Sequence, residues 1–169
     1  NDPIFLAIVP EEVLLEVIAN GRAGTPMPAF SKQQSGTLTD EQIKIIAEGL
    51  KQHFKGGKKP PGDLPTYASD TQNESPAEEA LKRGETLFAR VCATCHSGED
   101  EPPGRLNNPA LLALFSDQAL RRIIITGRPD LGMPDFADSA GRGDDFHPLT
   151  SQEIDDLVAW LAHLRIAPP

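Results

Sequence analysis

This chain predicts an all-α protein, and three observations lead there. Apolar residues recur at helical spacing in its periodic segments, as at Val13, Leu14, Val17 and Ile18 and again at Ile154, Leu157, Val158 and Leu161. Capping-box sequences open two of these segments, Thr39-Asp40-Glu41-Gln42 and Thr150-Ser151-Gln152-Glu153. Glycine closes helical patterns at Gly21 and Gly127, where a left-handed backbone is easily reached.

The elements follow in order. A helix is expected over 11–20, and a second from the first capping box to about Phe54, with Ile43, Ile46, Ala47 and Leu50 on one face. Residues 55–73 carry Gly, Pro and Lys without periodicity and read as a linker. Ser75-Pro76-Ala77-Glu78 then supplies an N-cap, a proline for the first helical position and a capping-box glutamate. The helix it opens runs towards Cys92 with Ala80, Gly84, Leu87, Phe88 and Val91 inward. Asn107 and Asn108 are turn residues, 117–126 is a short helix, and the last helix spans 151–164 with Trp160 joining its inner face.

Residues 92–96 read Cys-Ala-Thr-Cys-His, the C-x-x-C-H spacing of a c-type haem attachment site. Two thiols one helical turn apart can each form a thioether to a haem vinyl group. The adjoining His96 then offers its imidazole to the iron. A redox-active dithiol needs no following histidine, and a zinc site needs further ligands. Both cysteines of the chain lie in the motif. The two methionines, Met27 and Met133, each precede a proline, and Met133 follows His96 by 37 residues (133 − 96). That distance suits a loop crossing the open haem face, its shape held by proline, with the thioether sulfur as sixth ligand. His53, His147 and His163 lack such a loop setting.

With the paired motifs and the amphipathic last helix, residues 76–169 resemble a class I cytochrome c domain. The resemblance implies a small all-α fold around a covalent haem c bound through Cys92 and Cys95, with His96 and Met133 as axial iron ligands. It implies an electron carrier rather than a catalyst, exchanging electrons with redox proteins or a membrane respiratory complex. Haem attachment in the family occurs outside the cytoplasm, so a periplasmic or otherwise extracytoplasmic location and a removed leader are expected. Related domains often place a basic or amide side chain near the haem propionates, a role that Arg128 fits, the alternatives being a solvated surface arginine or a contact with the acidic loop. Pro102 or Pro103 would supply the carbonyl that accepts the imidazole proton. First and last helices cross in the family, and Gly84, Phe88, Leu157 and Trp160 match the crossing.

The chain also repeats itself. At an offset of 106, Leu14 falls on Leu120, Gly21-Arg22 on Gly127-Arg128, Met27-Pro28 on Met133-Pro134 and Phe30 on Phe136. Beyond the methionine loop the offset grows to 111, placing Leu38-Thr39 on Leu149-Thr150 and Ile43 on Ile154, because the second copy has the longer loop over 137–148. A C-x-x-C-H for the first copy would precede Asn1. The expectation is therefore a fragment of a dihaem protein in which Met27 is a possible ligand of a second haem, rather than a domain that has lost its haem. Gly49, standing where the second copy has Trp160, counts against it. The domains are 1–55, the distal half of a cytochrome c-like domain; 56–75, a linker; and 76–169, a complete class I cytochrome c domain.

Composition agrees. Aromatic content of 5% is thin for a core, and a haem would add apolar surface. The net charge of −9 argues against nucleic-acid binding. Acidic groups Glu99-Asp100-Glu101 and Asp144-Asp145 could steer a basic partner, although such clusters are more often solvated loops. No apolar run approaches a transmembrane segment; Ile4 to Val9 and Leu111 to Phe115 are far too short.

Overall fold

A computed structural model describes residues 2–54, 63–69, 76–98, 106 and 108–165. The chain divides into two compact units, Asn1–Lys59 and Pro60–Pro169. The described residues are helical, with isolated β-bridges at Ser31–Leu38 and Arg128–Met133 in place of strands.

In the first unit, α1 (Pro3–Ile8) starts at Asp2, whose carboxylate accepts the Phe5 N–H at 2.7 Å. Helix α2 (Glu11–Asn20) ends at Gly21, and α3 (Asp40–His53) opens with the expected capping box. Thr39 Oγ1 accepts the Gln42 N–H at 3.2 Å and Gln42 Oε1 accepts the Thr39 N–H at 2.9 Å. Ile4, Leu6, Val9, Leu14, Ile18, Ile43 and Ala47 are buried between these helices.

The second unit is built on α4 (Glu78–Val91) crossing α8 (Ser151–Leu164). A Cβ on Gly84 would run into the Asp156 carbonyl oxygen and come within 2.8 Å of Trp160 Cβ, so glycine is what lets the helices meet. Phe88 packs beside Trp160 with ring centroids 4.6 Å apart. Leu87, Val91, Ile154, Leu157, Val158 and Leu161 close the interface, and Leu120, Ile125, Phe136 and Leu149 complete the core. Arg83 grips the nearly buried Asp156 carboxylate with two hydrogen bonds, 2.6 and 2.9 Å, clamping α4 to α8. Short helices α5 (Ala93–His96) and α6 (Pro109–Leu112) and the longer α7 (Asp117–Thr126) connect the pair.

The structure differs from expectation at the start of α4. The cap is Ala77 in extended backbone, with no side-chain capping bond, and Pro76 precedes the helix rather than occupying its first position. Glu78 and Glu79 in the first turn take over the capping role, since their charges oppose the positive end of the helix dipole. Ser75, Glu99 to Gly104, Asn107 and most of the expected linker lie outside the described residues. Within that linker, however, 63–69 is engaged in the second unit. The Thr66 carbonyl accepts Arg121 Nε at 3.1 Å and Nη2 at 2.9 Å, the Tyr67 carbonyl accepts Gln118 Nε2 at 2.8 Å, and Pro65 is buried. Arg121, only 1% exposed, also pairs with Asp155.

The two units share local geometry at matched positions. Gly21 (φ 68°, ψ −161°) and Gly127 (φ 65°, ψ −168°) end α2 and α7 identically, in a region that side chains disfavour. The Arg22 N–H reaches the Met27 carbonyl and the Arg128 N–H the Met133 carbonyl, each at 3.0 Å. Leu38 N–H to Phe30 carbonyl (2.8 Å) repeats as Leu149 N–H to Phe136 carbonyl (2.9 Å). What differs is cover. Leu157 is fully buried under α4, while its counterpart Ile46 is 40% exposed and the neighbouring Ile45 63% exposed.

Candidate haem-attachment site

Helix α4 delivers the motif. Cys92 is its C-cap, donating its N–H to the Phe88 carbonyl at 2.9 Å. The chain then makes one more turn as α5, with the N–H groups of Cys95 (3.2 Å) and His96 (3.0 Å) both on the Cys92 carbonyl. Cys92 and Cys95 therefore stand one helical turn apart, the arrangement that the attachment chemistry needs. Cys92 and His96 are half-buried and Cys95 is exposed.

The Cys92 thiol stands in a half-buried setting. Burial pushes it up to about 11, against the opposing pull of Arg142 and with a smaller push from Cys95. It is a neutral thiol at pH 7. Among the described residues no group of three or more His, Cys, Asp or Glu side chains could hold a bare metal ion.

Met133 is held at the neck of its loop. The Arg128 N–H donates to the Met133 carbonyl and the Met133 N–H to the Arg128 carbonyl, each at 3.0 Å, closing a loop tightened by the 3₁₀ turn Pro129–Leu131. Three residues on, fully buried Phe136 anchors the loop to α7 through the Ile125 carbonyl at 3.1 Å. In the first unit the corresponding loop places Met27 behind a different lock: Thr25 Oγ1 donates to the Arg22 carbonyl at 2.8 Å and accepts the Met27 N–H at 3.3 Å.

Arg128, expected near a propionate, already has a carboxylate. Its fork meets Asp130 at 3.0 and 2.8 Å on the exposed surface of the loop, and that hydrogen bond draws the Asp130 pKa down. The arginine that the structure brings to the cysteines is Arg142, which sequence reading missed. It lies in the five-residue excess of the second methionine loop (111 − 106), so the first copy holds no counterpart to flag it. A Cβ on neighbouring Gly141 would stand 3.8 Å from Cys95 Sγ, and the Arg142 charge acts on both cysteines. His147 lies 3.5 Å from Glu153, His53 is the last residue of α3 and His163 lies in the last turn of α8. A shallow groove of about 350 Å³ between α4 and α8 touches none of the motif residues, and its charges pair as Arg83–Asp156 and Arg90–Glu153.

Two thiols on one turn, an adjoining imidazole, a thioether on a pinned loop and a buried guanidinium nitrogen without an acceptor beside them form a donor set that fits haem c. An all-helical unit with crossed first and last helices and this donor set is a class I cytochrome c domain. The family model for cytochrome c oxidase, cbb3-type, subunit III matches residues 79–161, from the first turn of α4 into the last turns of α8, and this domain belongs to the class I cytochrome c family. No curated protein and no solved structure matches the chain. Membership implies a covalently bound haem c and haem-based electron transfer. Among the described residues no helix is long and apolar enough to cross a membrane.

Proposed function

We propose that the second unit is an extracytoplasmic carrier of single electrons, with haem c bound through thioethers at Cys92 and Cys95 and with His96 and Met133 as axial ligands. The supporting observation is the continuity of α4 with the C-x-x-C-H turn, against which the extension of the methionine loop lies. Once bound, the haem supplies a one-electron couple at its iron. Cys92 and Cys95 orient the group, His96 offers a ring nitrogen, and Met133 offers a sulfur whose backbone is fixed on both sides. Ligation of the iron by His96 and Met133 would leave substrate no route to it, which would suit electron transfer rather than catalysis. Buried Leu87, Val91 and Phe136 keep water from this side of the core.

Intact mass under denaturing conditions, paired with a pyridine haemochrome count, tests the attachment: Cys92→Ser/Cys95→Ser should lose the covalent haem. Met133→Ala should keep one haem per chain and lose the methionine–iron charge-transfer band. Persistence of that band would sink the ligand assignment. The partners are redox proteins. Because the matching family is described as an oxidase subunit, the alternative is an electron-transfer subunit of a membrane respiratory complex. Release of the native protein into the periplasmic fraction supports the free carrier, and co-purification with a solubilised oxidase supports the subunit.

The repeat favours a second reading for the first unit, with Met27 as a ligand of a second haem whose C-x-x-C-H comes from a preceding segment. Its support is the matched loop geometry and the exposed α3 face at Ile45 and Ile46, which a helix equivalent to α4 would cover. Two haems on the native gene product, with one methionine band lost in Met27→Ala, bear this out. One haem on the native product refutes it.

A further inference from the structure

The loop over 137–148, five residues longer than its counterpart in the first copy, is organised around one guanidinium. Asp135 Oδ1 accepts the N–H groups of Ala137 (2.8 Å) and Asp138 (3.0 Å), and Asp138 Oδ1 accepts the Ala140 N–H (3.0 Å). These turns send Arg142 back inward. Its Nη1 donates to the Asp135 carbonyl at 2.7 Å and the Asp138 carbonyl at 2.6 Å, and its Cζ lies 4.5 Å from the centre of the Phe146 ring. Its Nε is buried with no acceptor.

Among the described residues no carboxylate forms an ion pair with this guanidinium. Arg83, Arg121, Arg128 and Arg165 each hold an aspartate, while Arg142 holds only carbonyls and a ring. Asp135 and Asp138 act on it through space, their carboxylate oxygens being held by backbone amides rather than by the guanidinium. Burial lowers the Arg142 pKa despite the pull of Cys92, Asp135 and Asp138, although arginine stays protonated at neutral pH.

Resting on the haem reading above, we propose that Arg142 tunes the reduction potential of a haem bound at Cys92 and Cys95, its partly buried positive charge beside the two cysteines raising it. Reduction adds one electron from a protein donor, Fe(III) becoming Fe(II), with no bond made or broken. The oxidised centre carries one more positive charge than the reduced one, so a fixed cation in a poorly hydrated setting disfavours it. The loop thus acts as an electrostatic device that the first copy lacks.

The test is a spectroelectrochemical titration of the haem-loaded protein, with haem per chain and the methionine–iron band recorded for each variant. Arg142→Gln should lower the midpoint potential with both other readouts unchanged, and Arg142→Lys, which keeps the charge, should retain most of the wild-type value. Deleting residues 139–143 cuts the loop to the length that the first copy already closes, and it should lower the potential as Arg142→Gln does. Should Arg142→Gln lose the methionine band, the deletion variant decides the matter. A potential unmoved by charge removal, or one that falls as far in Arg142→Lys as in Arg142→Gln, overturns the proposal. A wild-type protein without haem would instead overturn the functional reading itself.

Discussion

Gly84 and Gly49 both lie inside 14-residue helices, yet alanine should act on them in opposite directions. In isolation Gly→Ala stabilises a helix interior by about 1 kcal/mol, because glycine loses more backbone freedom on folding. At Gly49 a new Cβ meets nothing within 4 Å, so Gly49→Ala should gain most of that amount. At Gly84 the same atom lands on the backbone of α8 at Asp156 and on Trp160 Cβ, groups that cannot swing aside. Overpacking of this kind costs about 1–3 kcal/mol. Because the obstacle is main chain, the upper half applies, leaving a net loss of about 1–2 kcal/mol after the propensity gain. For a unit of this size that is a fall of roughly 4–12 °C in Tm. The assay is thermal and urea unfolding of the haem-loaded protein, followed by far-UV circular dichroism and by the Soret band, which reports the second unit. Gly84→Ala as stable as wild type would refute the close crossing of α4 and α8.

Other expectations follow from single observations. Arg121→Met should cost about 3–5 kcal/mol in urea unfolding, since it leaves Asp155 with its charge poorly solvated and the Thr66 carbonyl unpaired; Thr66→Val should cost less, about 1 kcal/mol. Thr150→Ala removes the cap of α8 and should cost about 1 kcal/mol by the same assay, whereas Thr150→Ser should be nearly neutral. Before haem attachment, Cys92 should alkylate with iodoacetamide more slowly than exposed Cys95 at pH 8 and accelerate towards pH 11. The sign follows from burial: a thiol pKa raised to about 11 in the folded chain favours the protonated form, so its contribution to stability is lost as pH rises from the unfolded value towards 11. Equal alkylation rates at pH 8 would place Cys92 at the surface.

Much of the site was legible in the residues alone because its chemistry is local. A C-x-x-C-H turn uses hydrogen bonds between residues three and four apart, and the capping boxes at Thr39 and Thr150 close within four residues. Gly127 is legible for the same reason: the chain must reverse where α7 stops, and glycine adopts the required backbone. Arg128 shows the limit of such reading. Its type and place suit a propionate, but Asp130, two residues on, takes the fork, and sequence spacing does not rank competing partners.

By itself, then, the sequence determined the helical class, the thiols and the adjoining imidazole, the methionine loops and the repeat that relates them. Each rests on periodicity, on short-range backbone hydrogen bonds or on the valence of a side chain. Only the tertiary structure decided that 63–69 lies along the second unit, pinned by a buried Arg121 that reaches across 55 residues to Thr66. It also decided that Ile46 stays open where Leu157 is covered, and that Arg142 turns inward to the cysteines. These outcomes depend on which surfaces meet after the helices pack, and a burial or a cation turned inward is a property of that meeting rather than of any residue in it.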